Sequence, residues 1–133
     1  MPEPVGEARA RAMWAADAAS RGLGMELLEA RPGYSRVSME VTGAMTNGHD
    51  ICHGGFVFAL ADSAFAVACN TYDLPTVAAG ADIVFIAAVG RGDRLVAEGV
   101  ERVRYGRSGV YDVTVRRGEE VVAEFRGRAR SLG

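Results

Sequence analysis

The stretch from Gly54 to Cys69, GGFVFALADSAFAVAC, limits the possible folds more than any other part of the chain. It is long enough for several helical turns and apolar on nearly every face, so it belongs inside a domain or an interface, with the rest of the chain built around it. One carboxylate, Asp62, interrupts it. An unpaired buried carboxylate costs several kcal/mol or takes up a proton. Burial also raises its proton affinity toward the range useful for acid, base or nucleophile chemistry, which makes Asp62 a functional candidate. The duller alternatives are a helix cap or an ion pair with an arginine. Capping requires the first turn, whereas Asp62 lies about two turns past Gly54-Gly55, where the helix is predicted to start. No basic residue occurs between Gly54 and Thr71, so an ionic partner must come from elsewhere in the chain or from another subunit.

The flanking segments supply strands to wrap this helix. Gly6 to Ala19 reads as a short Ala-rich amphipathic helix that Gly22 and Gly24 end. Met25 to Arg31 and Tyr34 to Val41 read as a hairpin about Pro32-Gly33. Ala44 to Cys52, with Asn47, Gly48, His49 and Asp50, is a loop that runs directly into the apolar helix. Four strands with tight turns follow: Thr76 to Phe85, Arg94 to Tyr105, Gly109 to Arg116 and Val121 to Arg130. In the last, Val121, Ala123, Phe125, Gly127 and Ala129 form the predicted core face. Val122, Glu124, Arg126, Arg128 and Arg130 form the solvent face. No repeat, linker or low-complexity segment is visible, and residues 1–133 read as one domain.

Composition excludes several functions. A net charge of −2 does not provide the positive field of a nucleic-acid binder. Every basic residue is arginine, which rules out lysine Schiff-base or nucleophile chemistry while leaving anion clamps available. The two cysteines are too few for a disulfide scaffold. The N-terminus, with Glu3, Glu7, Arg9 and Arg11, lacks a signal-peptide core, and the longest apolar run is too short to span a bilayer, so a cytoplasmic protein without a membrane segment is expected. His49, Cys52, His53 and Cys69 lack the usual paired spacing of a zinc set. Cys52 adjoins His53, but a Cys–His catalytic pair is defined in space, and cysteine is commonly just buried.

A hairpin, one long apolar helix and four strands together predict an α+β hotdog fold, an antiparallel sheet wrapped around a central helix, with a short N-terminal helix. Asn47-Gly48-His49, His53-Gly54-Gly55, Leu60 to Ala66, Gly109-Val110-Tyr111-Asp112 and Phe125-Arg126-Gly127 resemble the PaaI-type thioesterases of phenylacetate degradation, from about Trp14 to Leu132. The spacing from His-Gly-Gly to Asp is the most specific part. The resemblance implies hydrolysis of an acyl-CoA thioester, phenylacetyl-CoA or its ring-hydroxylated forms, with no metal or organic cofactor. It implies Asp62 as the catalytic base or nucleophile and Gly54 as the N–H that polarises the carbonyl. His53 and Asn47 would position substrate or water. It also implies a homodimer that pairs into a tetramer. Many relatives carry Arg-Pro soon after the third strand's Phe, where this chain has Ala87-Ala88, and some place Ser or Thr near Ala79 to Ala81 to hold the attacking water. Arg104, Arg107 and Arg128 are the alternative candidates for CoA phosphate contacts.

Physical reasoning fits these roles. A glycine at a helix N-terminus lets a carbonyl approach an N–H where the helix dipole favours developing negative charge. Gly54 and Asp62 are eight residues apart, roughly 12 Å along one helix, and cannot both touch one carbonyl. A two-fold axis placing a second helix antiparallel would bring Asp62 of one chain to Gly54 of the other, giving two equivalent sites. Two other functional classes remain open at this stage: a hotdog enoyl-CoA hydratase or dehydratase, and a non-catalytic acyl-CoA-binding module.

Overall fold

The computed structural model describes residues 5–133. Helices α1 (Val5–Ala15) and α2 (Ala18–Gly22) precede the hairpin strands β1 (Glu26–Arg31) and β2 (Tyr34–Glu40). A single 3-10 turn (Gly43–Met45) leads to helix α3 (Gly54–Cys69). Strands β3 (Thr76–Phe85), β4 (Arg94–Tyr105), β5 (Ser108–Arg117) and β6 (Glu120–Ser131) complete the chain. All six strands form one antiparallel sheet in the order β1-β2-β4-β5-β6-β3, which wraps α3 in the hotdog arrangement. Gly106 and Gly118, both with positive φ, make the tight β4–β5 and β5–β6 turns possible.

The single helix expected over Gly6–Ala19 is in fact two. The first ends at Ala15, and Asp17 caps the second: its carboxylate accepts the Ser20 N–H at 2.9 Å and the Ser20 hydroxyl at 2.6 Å. The sequence Asp17-x-x-Ser20 offers the backbone a local alternative to continuing the helix, and the break turns the chain toward α3.

Two glycines let α3 sit close to the sheet. A Cβ on Gly99 would stand 2.9 Å from the Ser35 hydroxyl and 3.1 Å from the Ala64 carbonyl, and one on Gly127 would meet the buried Phe65 ring at 2.7 Å. The Ser35 hydroxyl donates to the Ala64 carbonyl at 2.6 Å and fixes the crossing. Val57, Leu60, Ala61, Ala64, Phe65 and Ala68 give α3 its buried face against Val37, Leu95, Val113, Val115 and Phe125. At the end of α3, the Asn70 amide donates to the carbonyls of Ala66 and Thr76 and accepts the Thr76 N–H, tying the helix to the start of β3.

Two sequence expectations about faces need correction. In β6, Ala123, Phe125, Gly127 and Ala129 point into the core as predicted, but Val122 is buried as well and Val121 only partly, because a bulge between Val115 and Arg116 shifts the β5–β6 register at that end. The arginines on its outer face are not merely solvated. Arg126 and Arg102 both bind Asp112 at 2.7 Å, and Arg128 lies 3.4 Å from Asp82. Strand β3 pairs only with β6, and its apolar Val77, Val84 and Phe85 remain 45%, 60% and 52% exposed along the free edge.

Candidate active site

The loop before α3 is stitched from both sides. Its Thr46 and Cys52 form a bridge, the Cys52 N–H donates to the Val89 carbonyl, and the His53 N–H donates to the Met45 carbonyl at 2.9 Å. Asn47 organises the tip: its side-chain oxygen accepts the N–H groups of His49 and Ile51 at 2.8 and 3.1 Å. Its amide Nδ2 has no partner among the described residues. Asp50 holds a positive φ of 61° and lies 3.6 Å from Arg91, while His49 projects into solvent. The structure therefore gathers Asn47, His53 and Gly54 at one end of α3. Asp62 is two turns away.

His53 occupies the N-cap position without a side-chain cap bond, and the first helical N–H groups, Gly54 and Gly55, donate to no described residue. The ring of Phe85, at the exposed end of β3, lies over Gly54. A Cβ there would fall 2.7 Å from its Cζ. Only glycine fits beneath the Phe85 ring at this position, and its N–H has no partner among the described residues; the ring's placement is a feature of the site that the sequence did not reveal.

Asp62 lies on the face of α3 turned away from the sheet, with Ala59, Ser63 and Ala66, and it is half-buried rather than enclosed. It makes no hydrogen bond or ion pair with any described residue, so it is not a helix cap and no arginine among the described residues of its own chain pairs with it. It opens on a cleft of about 260 Å³ whose other walls are Asp17, Ala19, Ser20, Leu23 and Met25. Burial, and secondarily the negative charge of Asp17, push its carboxyl above the usual range for aspartate. Ser63, next to Asp62, shares a 2.7 Å hydrogen bond with the Ser20 hydroxyl.

The cysteines lie in the interior and are not activated. Burial pushes the Cys52 thiol up and the Cys69 thiol up to about 12. No set of three or more His, Cys, Asp and Glu side chains among the described residues is placed to hold a metal ion. A second, larger cleft of about 480 Å³ opens beyond the far end of α3, between Tyr72, Asp73, Arg104, Arg107, Ser108 and Ser131. There the Arg104 guanidinium stacks 3.7 Å above the Tyr72 ring, while the Arg107 side chain has no ion-pair partner among the described residues.

Residues 49–124, more than half the chain, match the model of the thioesterase superfamily. The chain belongs to that superfamily. This thioesterase is 41% identical over 125 residues to the acyl-coenzyme A thioesterase PaaI of Escherichia coli K12, covering 93% of this chain and 89% of that protein. The structure of PaaI from the E. coli phenylacetic acid degradation operon superposes with a TM-score of 0.93 at 39% identity, covering 96% of this chain and 94% of that one. A mutant form of the phenylacetic acid degradation protein PaaI from Thermus thermophilus follows at TM-score 0.84 and 37% identity, covering 87% of this chain and 100% of that one. The PaaI-type resemblance read from the motifs thus holds across nearly the whole chain, and with it the enzyme class, a thioester hydrolase. No helix among the described residues is long and apolar enough to cross a membrane.

Proposed function

We propose that this thioesterase hydrolyses acyl-CoA thioesters, with phenylacetyl-CoA or ring-hydroxylated phenylacetyl-CoA as the acyl class, at a site shared by two protomers. One observation carries the reading: an unpaired half-buried carboxylate, Asp62, faces away from its own sheet, two helical turns from the open N–H of Gly54. Each chain therefore holds both halves of a thioester-cleaving site, too far apart to act on one carbonyl. Support for the pairing comes from the free β3 edge, with Val77, Val84 and Phe85 exposed, and from the partly exposed Ala59-Asp62-Ala66 stripe of α3.

In this reading, the Gly54 N–H of one protomer, at the positive end of its helix, binds the thioester oxygen as negative charge develops. Asp62 of the other protomer attacks the carbonyl carbon or takes a proton from the attacking water. The C–S bond breaks, CoA leaves as the thiol after taking up a proton, and water supplies the hydroxyl of the free acid. His53 and the Nδ2 of Asn47 position substrate or water at the loop. The acyl group enters the cleft beside Asp62, where Leu23, Met25, Ala59 and Ala66 supply apolar walls and Asp17, Ser20 and Ser63 line the polar side. For the other end of CoA the reading takes Arg107 and the Tyr72-stacked Arg104, which lies 3.9 Å from Glu101, as the phosphate contacts in preference to Arg128, which lies 3.4 Å from Asp82. Support for this acyl class also comes from the similarity to PaaI.

Subunit mixing tests the shared site. Asp62→Ala chains and Gly54→Pro chains are each expected to be inactive, since proline removes the polarising N–H. A verified mixed dimer contains one intact site and should recover about half of wild-type activity on phenylacetyl-CoA, from the two-fold pairing. A folded mixed dimer with no recovery would show that the two residues do not act across an interface.

A further inference from the structure

We propose that Asp17, outside the motifs that mark the family and 45 residues before Asp62, is a positioning residue for Asp62: it anchors Ser63 through Ser20 and places a second carboxylate in the cleft where Asp62 works. The proposal rests on the assignment of Asp62 made above. Asp17 is held rigidly. Its two oxygens receive the Ser20 N–H at 2.9 Å and the Ser20 hydroxyl at 2.6 Å, and that hydroxyl lies 2.7 Å from the Ser63 hydroxyl. Ser63 adjoins Asp62 on α3, so a continuous hydrogen-bonded chain runs from the α2 cap to the helix residue beside the reactive carboxylate.

The rest of the cleft brings no charge. Ala19 and Ser20 come from α2, Leu23 and Met25 from the segment leading into β1, and Ala59, Ser63 and Ala66 from α3. No basic side chain among the described residues lines it. Along α3, the Cys69 thiol feels Asp62, but with a proton affinity of about 12 it stays neutral through the working range. Among the described residues of one chain, then, the charge that acts on Asp62 across the cleft is another negative one, that of Asp17. A neighbouring negative charge favours the protonated carboxyl, so Asp17 makes Asp62 a stronger base once it is ionised. A cap whose role was only structural would have no such effect.

The test uses Asp17→Asn and Asp17→Ser, both neutral and both good N-caps, so α2 is retained. Carbon-13 NMR of aspartate-labelled protein, with the Asp62 signal assigned by its loss in Asp62→Asn, follows the Asp62 titration directly. The acid limb of kcat/KM follows it in the free enzyme. Both variants should move the titration and the acid limb to lower pH while the thermal midpoint stays close to wild type. If the Asp62 titration is unmoved in both folded variants, the inference is overturned. The two readings fail separately: an active Asp62→Asn enzyme overturns the assignment of Asp62, whereas an inactive Asp62→Asn with unmoved Asp17 variants overturns only the role of Asp17.

Discussion

Replacing Asp62 with Asn should reduce activity and stabilise the fold together, and the structure fixes the pH range over which the second effect shows. The amide keeps the shape of the side chain but removes the base or nucleophile, so kcat on the best acyl-CoA should fall by about 10²–10⁴-fold. The stability effect follows from the environment of the carboxylate, which is half-buried, without a hydrogen bond and facing the charge of Asp17. Asp62 releases its proton near 3.8 in the unfolded chain and at higher pH in the fold. The folded state therefore binds more protons across that window, and stability falls as pH rises through it and stays at the lower level above. Below 3.8 both states are protonated and the penalty is absent. Because the group is only half-buried, removing the penalty should be worth about 1 kcal/mol, a rise of about 3–5 °C in melting temperature for a chain of this size. The assays are thiol release from acyl-CoA with a chromogenic disulfide, and thermal melts of both proteins at pH 7 and below 3.8. Near wild-type turnover in the Asn variant would refute the catalytic role. A gain in melting temperature that did not shrink on acidification would refute the electrostatic account of the site.

Arg107→Ala should raise KM for acyl-CoA about tenfold, the loss of one charge-assisted bond to phosphate, with kcat nearly unchanged. Steady-state kinetics on the matching N-acetylcysteamine thioester, which lacks the phosphates, should show no effect; an equal loss on both substrates would remove Arg107 from the CoA site. Gly127→Ala should destabilise by about 1–3 kcal/mol, because its Cβ would meet the Phe65 ring at 2.7 Å in a fully packed core. A thermal melt unchanged from wild type would show that α3 is less tightly seated on β6 than this contact implies.

The α3 segment and all six strands are legible in the sequence because their signals are local. The long apolar run and the alternation of β4 and β5 survive in the structure with ends within a residue or so. What escapes the sequence lies where two segments meet. Asp17 reads as one more polar residue on an amphipathic helix until its carboxylate is seen capping α2; the Asp-x-x-Ser spacing is the available signal. The cover of Phe85 over Gly54 and the cleft joining Asp17 to Asp62 depend on tertiary placement, which no periodicity encodes. Val122 reads as a solvent-facing residue by strict alternation, but a bulge shifts the pairing register, and a one-residue slip exchanges the faces of a strand. The apolar letters of β3 point to burial, yet in one chain that strand is an exposed edge.

The position of β6 also sets an order of assembly. Strand β3 has no neighbour in the sheet except β6, and Thr76 faces Ser131, 55 residues further on. During synthesis, α3 and the β1–β2 hairpin are made well before the strand that gives β3 its place. Closing so long a loop is slow compared with forming hairpins. The strand edge beside Gly54, with Phe85 at its end, therefore takes its final shape only when the final strand has docked, so a chain interrupted before β6 can hold its helix yet cannot present that edge to another molecule.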